Sequence, residues 1–320
     1  MIPNRIFDLY YGQSGTGKSR SAATMAHEIH KKTGKKVRVC VGDGSIQTYD
    51  ALIDAGIVEA MEYTHRDWPF DVAQRITEGW FPADPNDPNS PLIDPVKNGA
   101  KDIGGYIFEG AAVMGAYAMS GIKGGLAWLS AHGHKIGQDT PYEIPQGDTD
   151  AKGNFVGEGP KTKFGGNPMA HYNVAQKLVT DSVQRSKMLS RYVLWTSHEQ
   201  TNDPEKSQLV KELVCGPEVV GRSLTASFQR MFGNTLHFQT VAKRVKIKDE
   251  HTGRDAQDLD LDYRIWTQDH FSPDGNTMIR YKALTRGVEN IRPYYDNITS
   301  YYRDVFEMSR KALDIQSTTL

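Results

Sequence analysis

Two hydrophobic periods alternate along the first 200 residues. Residues 5–11 (RIFDLYY) form a short β-prone run that stops at a glycine-rich turn. Residues 18–32 follow, with Ala22, Ala23, Met25, Ala26 and Ile29 near helical spacing. Residues 36–41 (KVRVCV) read as a second strand, stopped by Gly42-Asp43-Gly44. The pattern then predicts a helix around 48–55, a short strand around 58–63 and a helix over 70–80. Five prolines between 81 and 99 predict a surface loop. Residues 105–108 (GYIF) are a buried-strand candidate, and 110–129 an apolar helix broken near 120–125.

Residues 132–167 change character, being rich in Gly, Pro, Asp and Lys with little periodicity. A structureless stretch of that length inside a compact domain is uncommon, and is usually functional or disordered. A strong helix is predicted over 168–189, a buried strand over 192–196 (YVLWT) and a helix over 218–231. Four segments (235–241, 245–248, 263–266 and 278–283) read as antiparallel strands joined by polar turns, and 297–315 as a terminal helix. Alternating strands and helices up to about residue 200 predict an α/β fold with a mostly parallel sheet flanked by helices. The later meander would extend that sheet or pack on its edge. The expected organisation is one domain over 1–290 and a helical tail over 291–320.

The turn after the first strand carries the most specific chemistry. Gly12-Gln13-Ser14-Gly15-Thr16-Gly17-Lys18-Ser19 matches G-x-x-x-x-G-K-[ST], following a strand and opening a helix. Glycines there let backbone N–H groups point inward and cradle phosphate oxygens. The helix N-terminus adds positive potential at the same spot. Lys18 would reach the β- and γ-phosphates of ATP, and Ser19 would place its hydroxyl on Mg²⁺.

Four further elements are candidates for the same site. Glu109 ends the strand Gly105-Tyr-Ile-Phe-Glu, where an acidic residue can hold Mg²⁺ or polarise water; an ordinary strand-end glutamate is the competing reading. Asp43 stands at the tip of the second strand, as a water-activating carboxylate or as a plain turn-former. His198, in Trp195-Thr-Ser-His-Glu-Gln200 ending the next strand, can sense the γ-phosphate, since an imidazole can meet it neutral or charged; a solvated loop histidine is the competing reading. Lys282 and Arg286, on a late basic strand, can reach a neighbour's nucleotide site as fingers, or can simply balance local acids.

Composition narrows the field. Thirty-eight basic and 39 acidic residues leave a net charge of −1. No global positive field marks the chain, so a nucleic-acid or membrane site must be local. Two cysteines, Cys40 and Cys215, do not make a disulfide framework, and fit a reducing cytosol. Residues 1–12 lack the apolar core of a signal peptide. The apolar window 110–129 is long enough to cross a bilayer, but Lys123 and five glycines argue against it. No membrane association and a cytoplasmic location are expected.

Together, GQSGTGKS, YIFEG, WTSHEQ, the VVGRSLT…MFGNTLHF run and the late YK…RG strand resemble the phage-type RecA-like P-loop ATPases, above all Sak-type single-strand annealing ATPases. The matching pieces cover roughly residues 5–115 and 185–290. The resemblance implies a RecA-like ATPase core that uses ATP and Mg²⁺, assembles into a homo-oligomeric ring or filament, and acts on DNA in phage recombination or replication. The chain departs from that pattern at Glu109, where an Asp is usual, and in the long 132–167 stretch. That stretch lies near where such proteins contact DNA. It interleaves Lys135, Lys152, Lys161 and Lys163 with Tyr142, Phe155 and Phe164, a mixture suited to single strands. Five acidic residues offset the lysines, so a lid, an oligomer contact or a disordered insert competes. His132-x-His134 lacks partners at finger spacing. Nucleotide-dependent assembly without DNA, including a virion-associated role, is the rival function, and a small-molecule kinase a third.

Overall fold

The computed structural model describes residues 5–63, 75–87, 90–119, 141–145, 148–149, 155–156, 161–165, 168–201, 215–248, 255–271, 278–279, 283–285 and 291–317. Its main sheet contains β1 (Ile6–Gly12), β2 (Lys36–Val41), β3 (Val58–Glu62), β4 (Ile103–Glu109), β5 (Tyr192–Thr201), β6 (Cys215–Pro217), β7 (Asn234–Lys248), β8 (Asp255–Trp266) and β9 (Tyr294–Tyr295). Spatial order is β9-β8-β7-β1-β5-β4-β2-β3, with β6 on the end of β5. The six strands from β7 to β3 are parallel. β8 and β9 add in antiparallel sense, as does β6. The chain is therefore α/β, with a mostly parallel sheet flanked by helices.

The central strands are buried along nearly their whole length, because helices cover both faces of the sheet. One face packs α1 (Lys18–Thr33) and the C-terminal helix (Ile298–Ser317) onto Tyr10, Val39, Ile107 and Leu236. The other packs the helix at 111–119 and the helix Pro168–Ser186 onto Leu9, Phe108 and Trp195. α1 keeps its polarity in order: no acidic residue in its first turn, and His30, Lys31 and Lys32 in its last. Basic residues there complement the helix dipole, and the N-terminal end keeps its positive potential.

The C-terminal helix belongs to the same core. Tyr295, Tyr301 and Tyr302 are fully buried. Asn297 caps the helix, its Oδ1 accepting from the backbone N–H of Thr299 at 2.8 Å. Tyr302 donates to the buried Asp8 carboxyl, Tyr10 donates to Tyr302 at 3.0 Å, and Asn234 Nδ2 donates to Tyr301 at 2.9 Å.

Several expectations need correction. The proline-rich segment 81–99 is not simply a surface loop: Phe81–Pro82 pairs with Leu92–Ile93, and Phe81 and Leu92 are buried in the core. Arg38 holds it from β2, donating to Asn98 Oδ1 at 2.8 Å and lying 4.5 Å over the Phe81 ring. β5 continues to Thr201, so His198 sits within a strand and not after one. The segments 235–241 and 245–248 are one strand, because β8 pairs with them without a break. Met278–Ile279 pairs with His270–Phe271 and not with the main sheet. Within 132–167, Pro141–Pro145 pairs with Lys161–Gly165, and Asp148–Thr149 with Phe155–Val156; the other residues of that stretch lie outside the described set. Among the described residues no helix is long and apolar enough to cross a membrane.

Candidate phosphate-binding site

The glycine-rich loop leaves the sheet at the end of β1, between β5 and β7. Gly12 stands opposite His198 on one side and Phe238 on the other. A Cβ on Gly12 would lie 2.1 Å from the Phe238 carbonyl oxygen, so the loop starts where no side chain fits. Gly15 and Gly17 then take the left-handed conformation, with φ of 77° and 89°. The turn closes locally through Thr16, whose hydroxyl donates to the Gln13 carbonyl at 2.8 Å.

Lys18 folds back into this loop. Its Nζ donates to the carbonyls of Gly12 at 2.9 Å and Gln13 at 2.7 Å. Burial pushes its pKa down, and the carboxylates of Glu109, Asp43 and Glu199 push it back up. A cation is thus held inside a ring of backbone dipoles at a helix N-terminus, with three carboxylates in electrostatic reach.

Ser19 makes the next link. Its hydroxyl donates to Glu109 Oε2 at 2.7 Å. Glu109 is fully buried, and two more hydroxyls meet its carboxylate. Tyr49 donates to Oε1, and the Ser45 hydroxyl lies 2.5 Å from Oε2. The same Ser45 hydroxyl lies 2.7 Å from Asp43 Oδ1, so one proton bridges two carboxylates. Burial raises the Glu109 pKa, and the donors Ser45, Tyr49 and Ser19 oppose that rise. Tyr63 fixes the same corner, donating to the Glu109 carbonyl at 3.0 Å. Asp43 carries a further partner, His198 Nε2 at 3.8 Å.

The structure thus brings Lys18, Ser19, Glu109, Asp43 and His198 together from four strands or the turns that follow them. Lys282 and Arg286, as well as His132 and His134, lie outside the described residues. Sequence reasoning missed Ser45 and Tyr49. Their signal was a hydroxyl pair one turn apart directly after the Asp43 tip, on the 3-10 turn Ser45–Tyr49. It also missed Glu199 and His237, whose side chains meet at 2.7 Å (Oε2 to Nε2) across the end of β1, nearly sealed from solvent. His237 stacks on Tyr11, and its Nδ1 lies 3.3 Å from His270 Nε2. Two polar residues inside apolar strand runs were the available signal.

Beside the loop opens a cleft of about 460 Å³, bounded by Gly15, Gly17 and Arg20 on one side and by Tyr263, Arg264 and Asp296 on the other. Arg264 is already engaged, bonded to Asp262 at 2.6 Å and lying 4.5 Å over the Tyr294 ring.

No protein-family model matches this chain, and no curated protein matches it significantly.

Proposed function

We propose that the chain is a RecA-like P-loop ATPase that binds Mg·ATP and hydrolyses it by in-line attack of water. The observation that carries this reading is the bond between Ser19 and Glu109, beside a lysine already folded into the loop. The strand order supports it as well: β5 separates the loop strand from the strand that ends in the carboxylate.

In this reading Lys18 exchanges its bonds to the Gly12 and Gln13 carbonyls for phosphate oxygens, and the loop N–H groups and the α1 N-terminus take the remaining charge. A hydroxyl and a carboxylate 2.7 Å apart are the hard oxygen donors that suit Mg²⁺, which binds through one or two protein groups plus phosphates. Ser19 and Glu109 would hold it, and it would neutralise charge on the phosphates. Asp43, next to His198 and Ser45, would accept a proton from water, with Glu109 as the alternative acceptor; His198 reports on the γ-phosphate. The nucleoside occupies the cleft between α1 and β8, with Tyr263 as its stacking surface. Lys282 or Arg286 from a neighbouring copy would stabilise transition-state charge.

Action on DNA in a phage recombination or replication setting, with single strands favoured, rests on the family resemblance alone. Nucleotide-controlled assembly without DNA is the second reading, favoured by the near-zero net charge.

The test is phosphate release with and without single-stranded DNA, at low and moderate salt, with Lys18→Ala as the blank and Glu109→Gln as the chemistry variant. Expected are Lys18-dependent turnover, a loss on the order of 100-fold in Glu109→Gln, and stimulation by DNA that fades with salt. Turnover indifferent to DNA would leave the assembly reading. No Lys18-dependent binding or turnover would sink both.

A further inference from the structure

β7 and β8 join the main sheet only at their roots. Residues 234–238 of β7 pair with β1, and Ile265 and Trp266 of β8 pair with β9. Beyond those roots, the ten rungs from Gln239 opposite Arg264 to Lys248 opposite Asp255 pair only with each other, among the described residues. At about 3.3 Å per residue, this two-stranded ribbon extends roughly 33 Å, and no described residue pairs with either of its edges. A lone ribbon of that kind is marginal in water, and its open edges are templates for another chain. Near its root, Leu261 and Tyr263 are each 47% exposed.

The two strands differ in sign. Outer β7 carries Lys243, Arg244, Lys246 and Lys248; outer β8 carries Asp255, Asp258, Asp260 and Asp262. The ten described rungs carry five basic and four acidic residues, so the ribbon as a whole is close to neutral. A nucleic acid laid along it would meet nearly as many acids as bases. The β8 edge of an identical chain is acidic along the same length over which β7 is basic.

We propose that this ribbon is the contact between copies of the chain, the β7 edge of one copy adding to the β8 edge of the next. Two different edges meet, so the contact is head-to-tail: it closes into a ring or continues as a filament. The inference does not depend on nucleotide binding.

Sedimentation velocity on the full chain tests it, with and without Mg·ATP. The wild-type protein is expected to form oligomers that weaken at high salt. Lys243→Glu with Lys246→Glu, or Asp258→Lys with Asp260→Lys, should weaken self-association at least tenfold. Exchanging the signs of the two strands takes eight substitutions: Lys243→Glu, Arg244→Glu, Lys246→Glu and Lys248→Glu with Asp255→Lys, Asp258→Lys, Asp260→Lys and Asp262→Lys. Positions 243 and 260, and positions 248 and 255, which face each other across the ribbon, then again carry opposite charges. The eightfold variant therefore controls for loss of the ribbon itself. It should assemble with itself and fail to co-assemble with wild type. A monomeric wild type under all conditions would overturn the proposal. So would an eightfold variant that co-assembles freely, or basic-strand variants that lose single-stranded DNA while assembling as wild type.

Discussion

Ser19 and Glu109 stand 90 positions apart, yet the serine hydroxyl donates to the glutamate carboxylate at 2.7 Å. Their strands are not neighbours. β5 lies between β1 and β4, so the loop and the first turn of α1 must lean across β5 to bring the two together. That geometry places a helix N-terminus, a lysine and a buried carboxylate within a few ångströms of one point, and it frames the expectations below.

The donors around Glu109 set its ionisation. Burial raises its pKa, while Ser45, Tyr49 and Ser19 hold it down. Ser45→Ala or Tyr49→Phe removes one donor, so the pKa rises further. The acid limb of turnover against pH should then move to higher pH in each variant. A pH–rate profile of phosphate release checks this. An unmoved limb would mean that Glu109 ionisation does not govern turnover.

In the proposed reading Tyr263, which lines the cleft beside the loop, meets the nucleoside, and Lys18, folded into the loop, meets the phosphates. Titration calorimetry with ATP and with inorganic tripolyphosphate separates the two. Tyr263→Ala should weaken ATP about tenfold, or about 1.4 kcal/mol, and leave tripolyphosphate unchanged. Lys18→Ala should weaken both. Equal losses for the two ligands in Tyr263→Ala would place the nucleoside elsewhere.

Two loop glycines should respond differently to alanine. At Gly12 the new Cβ would collide with the Phe238 carbonyl at 2.1 Å, and backbone cannot give way cheaply. At Gly15 nothing lies within 4 Å, and only the left-handed φ of 77° opposes the substitution. Gly15→Ala should cost about 1–2 kcal/mol, and Gly12→Ala distinctly more. Urea unfolding of both variants measures the difference; similar midpoints would refute the close approach.

Asp8 makes stability depend on pH. Burial raises its pKa to about 7 from an ordinary 3.8, against the donors Tyr302 and Asn234. A carboxyl raised in the folded state binds its proton more tightly there than in the unfolded chain. Its contribution is therefore full below about pH 4 and is lost as the pH rises through about 7. The size is on the order of a few kcal/mol. His270, pushed down to about 4 by burial beside His237, acts in the opposite sense, losing stability as the pH falls from about 6.5 toward 4. The difference between wild type and Asp8→Asn isolates the Asp8 part. Wild type should lose ground to Asp8→Asn between pH 4 and pH 7 in thermal melts; a constant difference would show that Asp8 titrates normally.

Much of the fold is legible in the sequence, because helices and strands with one covered face announce their period. α1 is a case: Ala22, Met25, Ala26 and Ile29 are buried as the spacing predicts. The segment 81–99 is not legible, because prolines mark turns and say nothing of burial. Phe81 is buried beneath a hydrogen-bonded Arg38 that comes from another strand. The full length of β5 is hidden too. His198, Glu199 and Gln200 look like a polar loop, whereas β6 pairs with that end and keeps it extended.

The sequence by itself determined the glycine-rich loop. Its requirements are local: glycines at φ values that other residues rarely adopt, then a helix start with a lysine and a hydroxyl, all within eight contiguous positions. It also determined the alternation that makes a mostly parallel sheet. Only the tertiary structure decided what surrounds Glu109, which strand separates it from the loop, that Glu199 meets His237 across the end of β1, and that β7 and β8 leave the sheet as a ribbon. Those contacts join residues tens to hundreds of positions apart. Strand order brings them together, and hydrophobic period carries no information about which strand lies next to which.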